Sequence, residues 1–283
     1  MAAVVRAELR RLLRWPTLWV LCGSWVLLNL TFGYLFTYLT YRSDNSTGFG
    51  GGGGKQQLLA QMLPDQAPVT LVQGMPMFGG ALLMILGALA VGSGYGWGTW
   101  KTVFTTGPRR GTALGGTFLT VGLIVTALVL ATMVFDLSAS LLVSTVENAG
   151  LAWPSFVDIA QGLGSALLIG AMWTAAGLLL GTLTRGPALA VGLGLVWALV
   201  VENLLRGVAT LLGPLASVTD VLPGTAAGSL AGALGALPQS DPAGTPGVQT
   251  ILGGGTATAL LLAYLASFLV VSIVVTNRRD VAS

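Results

Sequence analysis

Few side chains in this chain of 283 residues could carry out acid–base or nucleophilic chemistry. The sequence contains no histidine and a single cysteine, Cys22, which lies in an apolar stretch. Without histidine there can be no Ser-His dyad, no HExxH zinc motif and no His-ligated haem. One cysteine forms neither an internal disulfide nor a cysteine metal cluster. The sequence therefore predicts that the chain is not an enzyme and has no catalytic residue, metal or cofactor of its own.

A Gly-rich stretch, GFGGGGGK, ends at Lys55 and invites comparison with the phosphate-binding motif GxxxxGK[ST]. Phe49 stands where that motif has its first glycine, and Gln56 stands where it has the Ser or Thr that binds magnesium. The stretch is typical of a flexible, solvated loop. The sequence therefore predicts no nucleotide site here.

Glu202 and Arg206 are two opposite charges, four positions apart, at the end of an apolar stretch. On a helix this spacing brings the two side chains together. An acid within a membrane span is a functional candidate, and a structural ion pair is an equally good interpretation. Both interpretations stay open at this point.

The composition indicates that most of the chain is surrounded by lipid. Hydrophobic residues make up 54% of the sequence, charged residues only 8%, and the mean hydropathy is +0.82. A soluble domain of this length needs charged residues over most of its surface, whereas a chain surrounded by lipid does not. The sequence predicts an all-α, polytopic membrane protein with a single transmembrane domain over 1–283, and the net charge of +3 does not indicate a nucleic-acid partner.

Six apolar stretches, uncharged except for Glu202 in the fifth, are long enough to cross a membrane at 1.5 Å per residue. The predicted spans are 17–39, 74–94, 114–135, 162–183, 187–204 and 253–275. A helix running on from 114 to 146 would be about 50 Å long, against a hydrocarbon core of about 30 Å. We therefore expect Asp136 at or near the outer interface, with a tilted or broken helix beyond it.

Two segments are predicted to be helical without crossing. Residues 1–16 carry Arg6, Arg10 and Arg14 at a spacing of four, which is typical of an amphipathic helix in the membrane interface. These arginines could equally serve only to keep the N-terminus in the cytosol. Residues 206–252 are too apolar for an ordinary loop and contain several prolines, which favours short re-entrant or interfacial helices on the outer side.

The distribution of Lys and Arg orients the chain. With both termini inside, ten basic residues lie on the cytosolic side and three, Arg42, Lys55 and Arg206, lie outside. The ten are Arg6, Arg10, Arg11, Arg14, Lys101, Arg109, Arg110, Arg185, Arg278 and Arg279. We predict a bacterial cytoplasmic membrane protein with both termini in the cytosol.

The cytosolic loop between the second and third spans has the most distinctive composition in the chain. Its apolar residues recur at roughly helical spacing and a Gly-Pro pair follows them, which predicts a short amphipathic helix. The candidate residues are Trp97, Thr99, Trp100, Lys101, Val103, Phe104, Arg109 and Arg110. Such a helix could present a surface to a cytosolic partner, or it could be only an interfacial anchor, since Trp favours that depth.

The loop sequence GTWKTVFTTGPRR and the arrangement around it resemble the permease subunits of type-2 ABC exporters, which include bacterial antibiotic-resistance and sodium-export permeases. The resemblance covers nearly the whole chain: a basic amphipathic N-terminal helix, six spans, this inside loop and an apolar outer segment before the sixth span. It implies that the loop is a coupling helix against a separate ABC ATP-binding subunit, and that two permeases form a homodimer or heterodimer. The alternative is a non-transporting membrane protein that recruits a cytosolic partner.

Glycine pairs of the GxxxG type, such as Gly177 and Gly181, allow helices to approach closely. With 41 glycines in the chain such pairs also arise by chance. They leave open whether the contact lies within the chain or between two copies.

Overall fold

A computed structural model describes residues 1–43, 54–106, 110–209, 213–241 and 243–278. These residues fold into α-helices joined by turns and short 3-10 or π segments, with no β-strand among them. The first seven α-helices are α1 Ala2–Leu13, α2 Pro16–Leu30, α3 Phe36–Arg42, α4 Lys55–Gln61, α5 Ala67–Gln73, α6 Gly80–Gly96 and α7 Thr99–Thr106. The others are α8 Arg110–Val146, α9 Phe156–Thr184, α10 Pro187–Leu195, α11 Glu202–Ala209, α12 Gly213–Asp220, α13 Pro223–Ala233 and α14 Gly254–Arg278.

Six helical stretches are long and apolar enough to cross a membrane, so the chain is a multi-pass membrane protein. We number them as spans 1 to 6: Pro16–Arg42, Pro64–Gly96, Gly111–Val146, Phe156–Thr184, Pro187–Val208 and Gly254–Arg278. Each predicted stretch falls in one of these, apart from single residues at their ends. The all-α class and the number of spans are confirmed.

Span 3 differs from its prediction. Helix α8 continues without a break for 37 residues, or about 55 Å at 1.5 Å per residue. Asp136 lies inside this helix and is fully buried, with its Oδ1 accepting a hydrogen bond from Asn29 Nδ2 at 2.7 Å. Of the two predicted alternatives beyond Asp136, a tilted or a broken helix, the broken helix is therefore wrong, and the position of Asp136 relative to the membrane interface stays a prediction. An amide on span 1 satisfies one carboxyl oxygen, so the helix tolerates the acid without leaving the bundle.

Spans 2 and 4 form the core and run parallel to each other. Gly87 faces the main chain of α9, and Gly177 faces the main chain of α6, so closely that a Cβ at either position would collide with it. Gly80 leaves room for the ring of Trp173, which is only 2% exposed. Glycine therefore lets the two helices approach to main-chain contact. The GxxxG pair at Gly177 serves this contact within the chain.

The other spans surround this core with much of their surface outward. In span 2, 67% of the most apolar 18-residue stretch is buried inside the bundle, but in span 6 only 11% of the corresponding stretch is buried. Large apolar side chains such as Leu27, Val200 and Val270 are exposed on the outer spans. This is the surface expected of helices that face lipid or a second membrane protein.

Three spans contain a π-helical segment, where the backbone accommodates an extra residue. These segments are Thr31–Leu35 in span 1, Met75–Gly79 in span 2 and Val196–Val201 in span 5. The second begins beside Pro76, which lacks an N–H for the helical ladder. π segments are often found at functional sites, and the first two face each other here through the stacked rings of Phe32 and Phe78.

The two ends of the bundle are chemically different. At one end, which we call the α1 end, α1 packs on the start of α8, and Arg11 Nη2 donates to the Ala90 carbonyl at 3.1 Å. Pro187, where span 5 starts, contacts Gly92 at the same end. At the opposite end, Arg42 of span 1 pairs with Glu147 just beyond span 3 at 2.9 Å. Span 6 begins at that opposite end, so it finishes at the α1 end.

The segment before span 6 contains the short helices α12 and α13, and their predicted re-entrant or interfacial placement stays a prediction. Helix α13 is buried over nearly its whole length and packs against α14 and the π segment of span 2. Its glycines 228 and 232 contact the main chain of residues 247 and 249. Small side chains therefore let α13 sit deep against the bundle.

Candidate functional site

Helix α7 stands at the α1 end, in the short connection between spans 2 and 3. Gly98 precedes it with a φ of +67°, in the left-handed region that glycine adopts without strain. This residue lets the chain turn from the end of α6 directly into Thr99–Thr106. The predicted short helix is present.

Trp100 fastens α7 to α6. Its side chain is 5% exposed, and its indole Nε1 donates a hydrogen bond to the Val91 carbonyl at 3.1 Å. The ring lies over Gly94, where a Cβ would stand 2.5 Å from the Trp100 Nε1 atom. The apolar surface of Trp100 is therefore already covered by this chain, and the predicted role of this residue in partner contact stays a prediction.

A different set of residues on α7 reaches solvent. Thr99, Thr102 and Thr105 are exposed and recur every three positions, so they lie on one side of the helix. Val103 is partly buried against the core. Trp97, just before the helix, is 70% exposed and meets Trp15 edge-on at 6.2 Å between ring centroids. The outward surface is thus small and polar, with one indole beside it.

The side chains of four predicted residues lie outside the described part of the structure. Lys101, Phe104 and Arg110 lie in helices, but their side chains fall outside the described part of the structure. Arg109 lies outside the described residues altogether. Their role in this surface stays a prediction.

Glu202 and Arg206 are close together, as their spacing predicts, but their side chains turn to different partners. The Glu202 side chain is buried; Oε1 accepts from Trp197 Nε1 at 2.9 Å, and the main chain of Gly224 also donates to the carboxylate. Arg206 donates to the Glu202 main-chain carbonyl at 3.3 Å and to Asn203 Oδ1 at 3.0 Å. Direct ion pairs among the described residues are instead Glu8 with Arg11 and Arg42 with Glu147.

The Glu147 cluster was missed from sequence. Tyr38 and Tyr41 donate to the two carboxylate oxygens of Glu147 at 2.8 and 3.1 Å, and Arg42 pairs with the same group. The hydrogen bond from Tyr38 is the largest influence that lowers the pKa of this carboxyl below its ordinary value. Arg42 also donates to the Tyr38 hydroxyl, so four side chains connect the end of span 1 that lies opposite α1 to the end of α8.

A second missed feature is a series of buried polar contacts between spans 1 and 3. Trp25 Nε1 donates to Thr132 Oγ1 at 3.1 Å, one turn away from the Asn29–Asp136 contact. Each residue is visible in the sequence as a polar or indole group in an apolar stretch. Their pairing could not be predicted from the sequence, because the partners in each contact are 107 positions apart.

Within the described ranges, no group of three or more His, Cys, Asp or Glu residues is placed to hold a metal ion. The fold and its surfaces define a multi-pass, all-helical membrane protein with a short helix fixed at one end of the bundle. No protein-family model matches the chain. No curated protein matches it either.

Proposed function

We propose that this chain is the transmembrane subunit of an ATP-driven ABC exporter, working as a dimer with a separate ATP-binding subunit in the bacterial cytoplasmic membrane. The resemblance of the GTWKTVFTTGPRR loop to type-2 exporter permeases supports this proposal. The observation that carries it is the attachment of α7 to α6 through Trp100.

The attachment matters because conformational work passes only through contacts that differ between two states. A partner that moves α7 would also move α6, since the Trp100 ring fills the space above Gly94 and bonds the Val91 carbonyl. Helix α6 in turn makes main-chain contact with α9. A displacement of α7 is thereby transmitted to spans 2 and 4.

The surface offered to the partner combines polar and basic groups. Thr99, Thr102 and Thr105 form the exposed side of α7. At the same end, Arg6 and Arg10 on α1 and Arg14 directly after it are exposed. The arginines suit contact with anionic lipid headgroups and the threonines suit contact with a folded protein. The exposed apolar faces of spans 5 and 6 suit lipid and the second permease.

Site-directed crosslinking tests this proposal. In a Cys22→Ser background, Thr102→Cys on α7 and Gln56→Cys on α4 each provide one exposed thiol, at opposite ends of the bundle. We expect a bifunctional thiol reagent to join position 102, but not position 56, to a co-expressed ABC ATPase. The adduct should change in yield when ATP is added.

Crosslinking at position 56 and not at 102 would contradict the proposed orientation. A stable complex through position 102 that neither responds to ATP nor changes ATP hydrolysis would instead fit a protein that only recruits its partner.

A further inference from the structure

A cavity of about 410 Å³ lies between spans 1 and 2 and the chain that precedes span 6. The π segments of both spans border it, with Gly33 on one side and Phe78 on the other. Residues 235–237 and 243–246 form a further part of its wall. Its volume is that of a small-molecule site.

The described wall of the cavity carries no ionisable side chain. Its polar side chains are amides and hydroxyls, and the others are aromatic, aliphatic, glycine or proline. Two acids bond lining amides from behind without lining the cavity: Asp136 accepts from Asn29 Nδ2 at 2.7 Å, and Asp65 accepts from Gln66 Nε2 at 3.1 Å. An ion that entered would give up its water without meeting an opposite charge on the wall, and this transfer is costly. The wall therefore disfavours a charged ligand of either sign.

Three polar side chains of the wall have hydrogen-bonding groups to offer. Gln61 and Gln73 make no side-chain hydrogen bond with a described residue, and neither does Thr37, which is only 7% exposed. A Cβ at Gly33 would stand 3.7 Å from Gln73 Nε2, so this amide lies close against span 1. Each amide carries both donors and an acceptor, and the hydroxyl can act as either. Polar groups that are buried without a partner are costly, which makes them candidates for contact with a ligand.

Aromatic rings supply the apolar part of the wall. Phe32 and Phe78 stack with 6.0 Å between their ring centroids, across the two π segments. The indole Nε1 of Trp25 already donates to Thr132 at 3.1 Å, so Trp25 offers the cavity its apolar surface. A ligand that satisfies this wall must combine an apolar body with a polar group that has both donors and acceptors.

From this geometry we infer that the cavity binds an uncharged amphiphile: an aromatic or apolar body with a neutral group that both donates and accepts hydrogen bonds, such as a primary amide. That group would donate to the side-chain oxygens of Gln61 and Gln73 and accept from their nitrogens. The body would pack on the rings of Trp25, Phe32 and Phe78. An ion of the same shape would gain the apolar contacts and lose more of its hydration.

As a statement about cargo, this inference rests on the proposed exporter function. Binding in the cavity needs no ATPase, however, so the two can fail separately. Purified chain in lipid nanodiscs would be titrated by isothermal calorimetry with phenylpropanamide, the anion phenylpropanoate and the cation phenylpropylammonium. These three probes share a ring and a three-carbon chain and differ in charge. Empty nanodiscs provide the blank for partition into lipid.

We expect phenylpropanamide to bind about tenfold more tightly than either ion. Gln73→Met and Gln61→Met each remove one amide and keep the length of the side chain. Either should lower the affinity for phenylpropanamide about fivefold, the effect of losing a hydrogen bond, and either carries the test if the other does not fold. Gln57→Met is the matched control, because Gln57 is exposed on α4 and lies outside the cavity wall.

A reversal of the preference provides a second measurement. Gln73→Glu keeps the shape of the side chain and adds a carboxylate to the wall. The variant should therefore bind phenylpropylammonium more tightly than the unchanged chain does, and phenylpropanamide less tightly.

Equal affinity for the three probes would overturn the inference, as would binding of none of them beyond that of empty nanodiscs. Preference of the unchanged chain for the cation would show that Asp65 and Asp136 set the selectivity, and would also overturn it. Preference for the anion, or amide binding that neither Gln61→Met nor Gln73→Met reduces, would have the same consequence. Amide binding by a chain that never associates with an ATPase would support the site and refute the exporter.

Discussion

Replacing Trp100 by alanine should release α7 from α6 without disturbing the spans. The indole is almost fully buried and bonded to the Val91 carbonyl, so its removal takes away packing and one hydrogen bond together. Truncating a packed Trp costs about 3–5 kcal/mol. Most of that should fall on the local opening of α7, because an eight-residue helix has little stability of its own.

Hydrogen exchange followed by mass spectrometry measures this opening directly. A loss of about 3 kcal/mol corresponds to about a hundredfold faster exchange of the amides in Thr99–Thr106. The core of α6 should be unaffected. Trp97→Ala is the matched control, because this nearby Trp is 70% exposed and its truncation removes little packing.

If Trp100→Ala and Trp97→Ala gave the same small change in α7 exchange, Trp100 would not be the attachment described here. The mechanical link from surface helix to central spans would then have no structural basis. If α6 exchanged faster as well, the indole would be supporting the whole bundle and not one short helix.

Two further perturbations test the packing of the core and the contacts at the end of the bundle opposite α1. Gly177→Ala should lower the thermal midpoint, because its Cβ collides with the α6 main chain, whereas Gly164→Ala meets open space and should be neutral or slightly stabilising. The Glu147 carboxyl has a lowered pKa in the folded chain, so its stabilising effect is present above the ordinary value of 4.5 and is lost as pH falls below it. Glu147→Gln should flatten this acid dependence of the thermal midpoint, and an unchanged dependence would show that the contacts with Tyr38 and Arg42 do not contribute.

The sequence predicted those helices whose position depends on the residue types within one short segment. Long apolar stretches with at most one charged residue predicted six spans, because a lipid-facing helix cannot hide many charges. A Gly, an aromatic cluster and a Gly-Pro pair predicted α7. Prolines in an apolar segment predicted the short helices α12 and α13.

Prediction failed where the answer depends on which groups the fold brings together, whether they are near or far apart in the chain. Asp136 reads as the end of a span, since a lone acid is costly in lipid, yet Asn29 on another span supplies a hydrogen bond and the helix continues. The sequence indicates Trp100 as one of the residues that could face a cytosolic partner, yet Gly94 makes room for its ring inside the chain. Arg206 stands beside Glu202 as expected, but Trp197 and Gly224 already occupy the carboxylate. In each case tertiary contacts, not local propensity, decide the outcome.

The most direct measurement of the central claim is the rate of ATP hydrolysis by a candidate ABC ATPase, with and without this chain in nanodiscs. We predict that the chain stimulates hydrolysis, that Thr102→Arg on the exposed side of α7 removes the stimulation, and that Gln56→Arg at the opposite end leaves it intact. Hydrolysis that is the same with and without the chain, or stimulation that survives Thr102→Arg but not Gln56→Arg, would contradict the account.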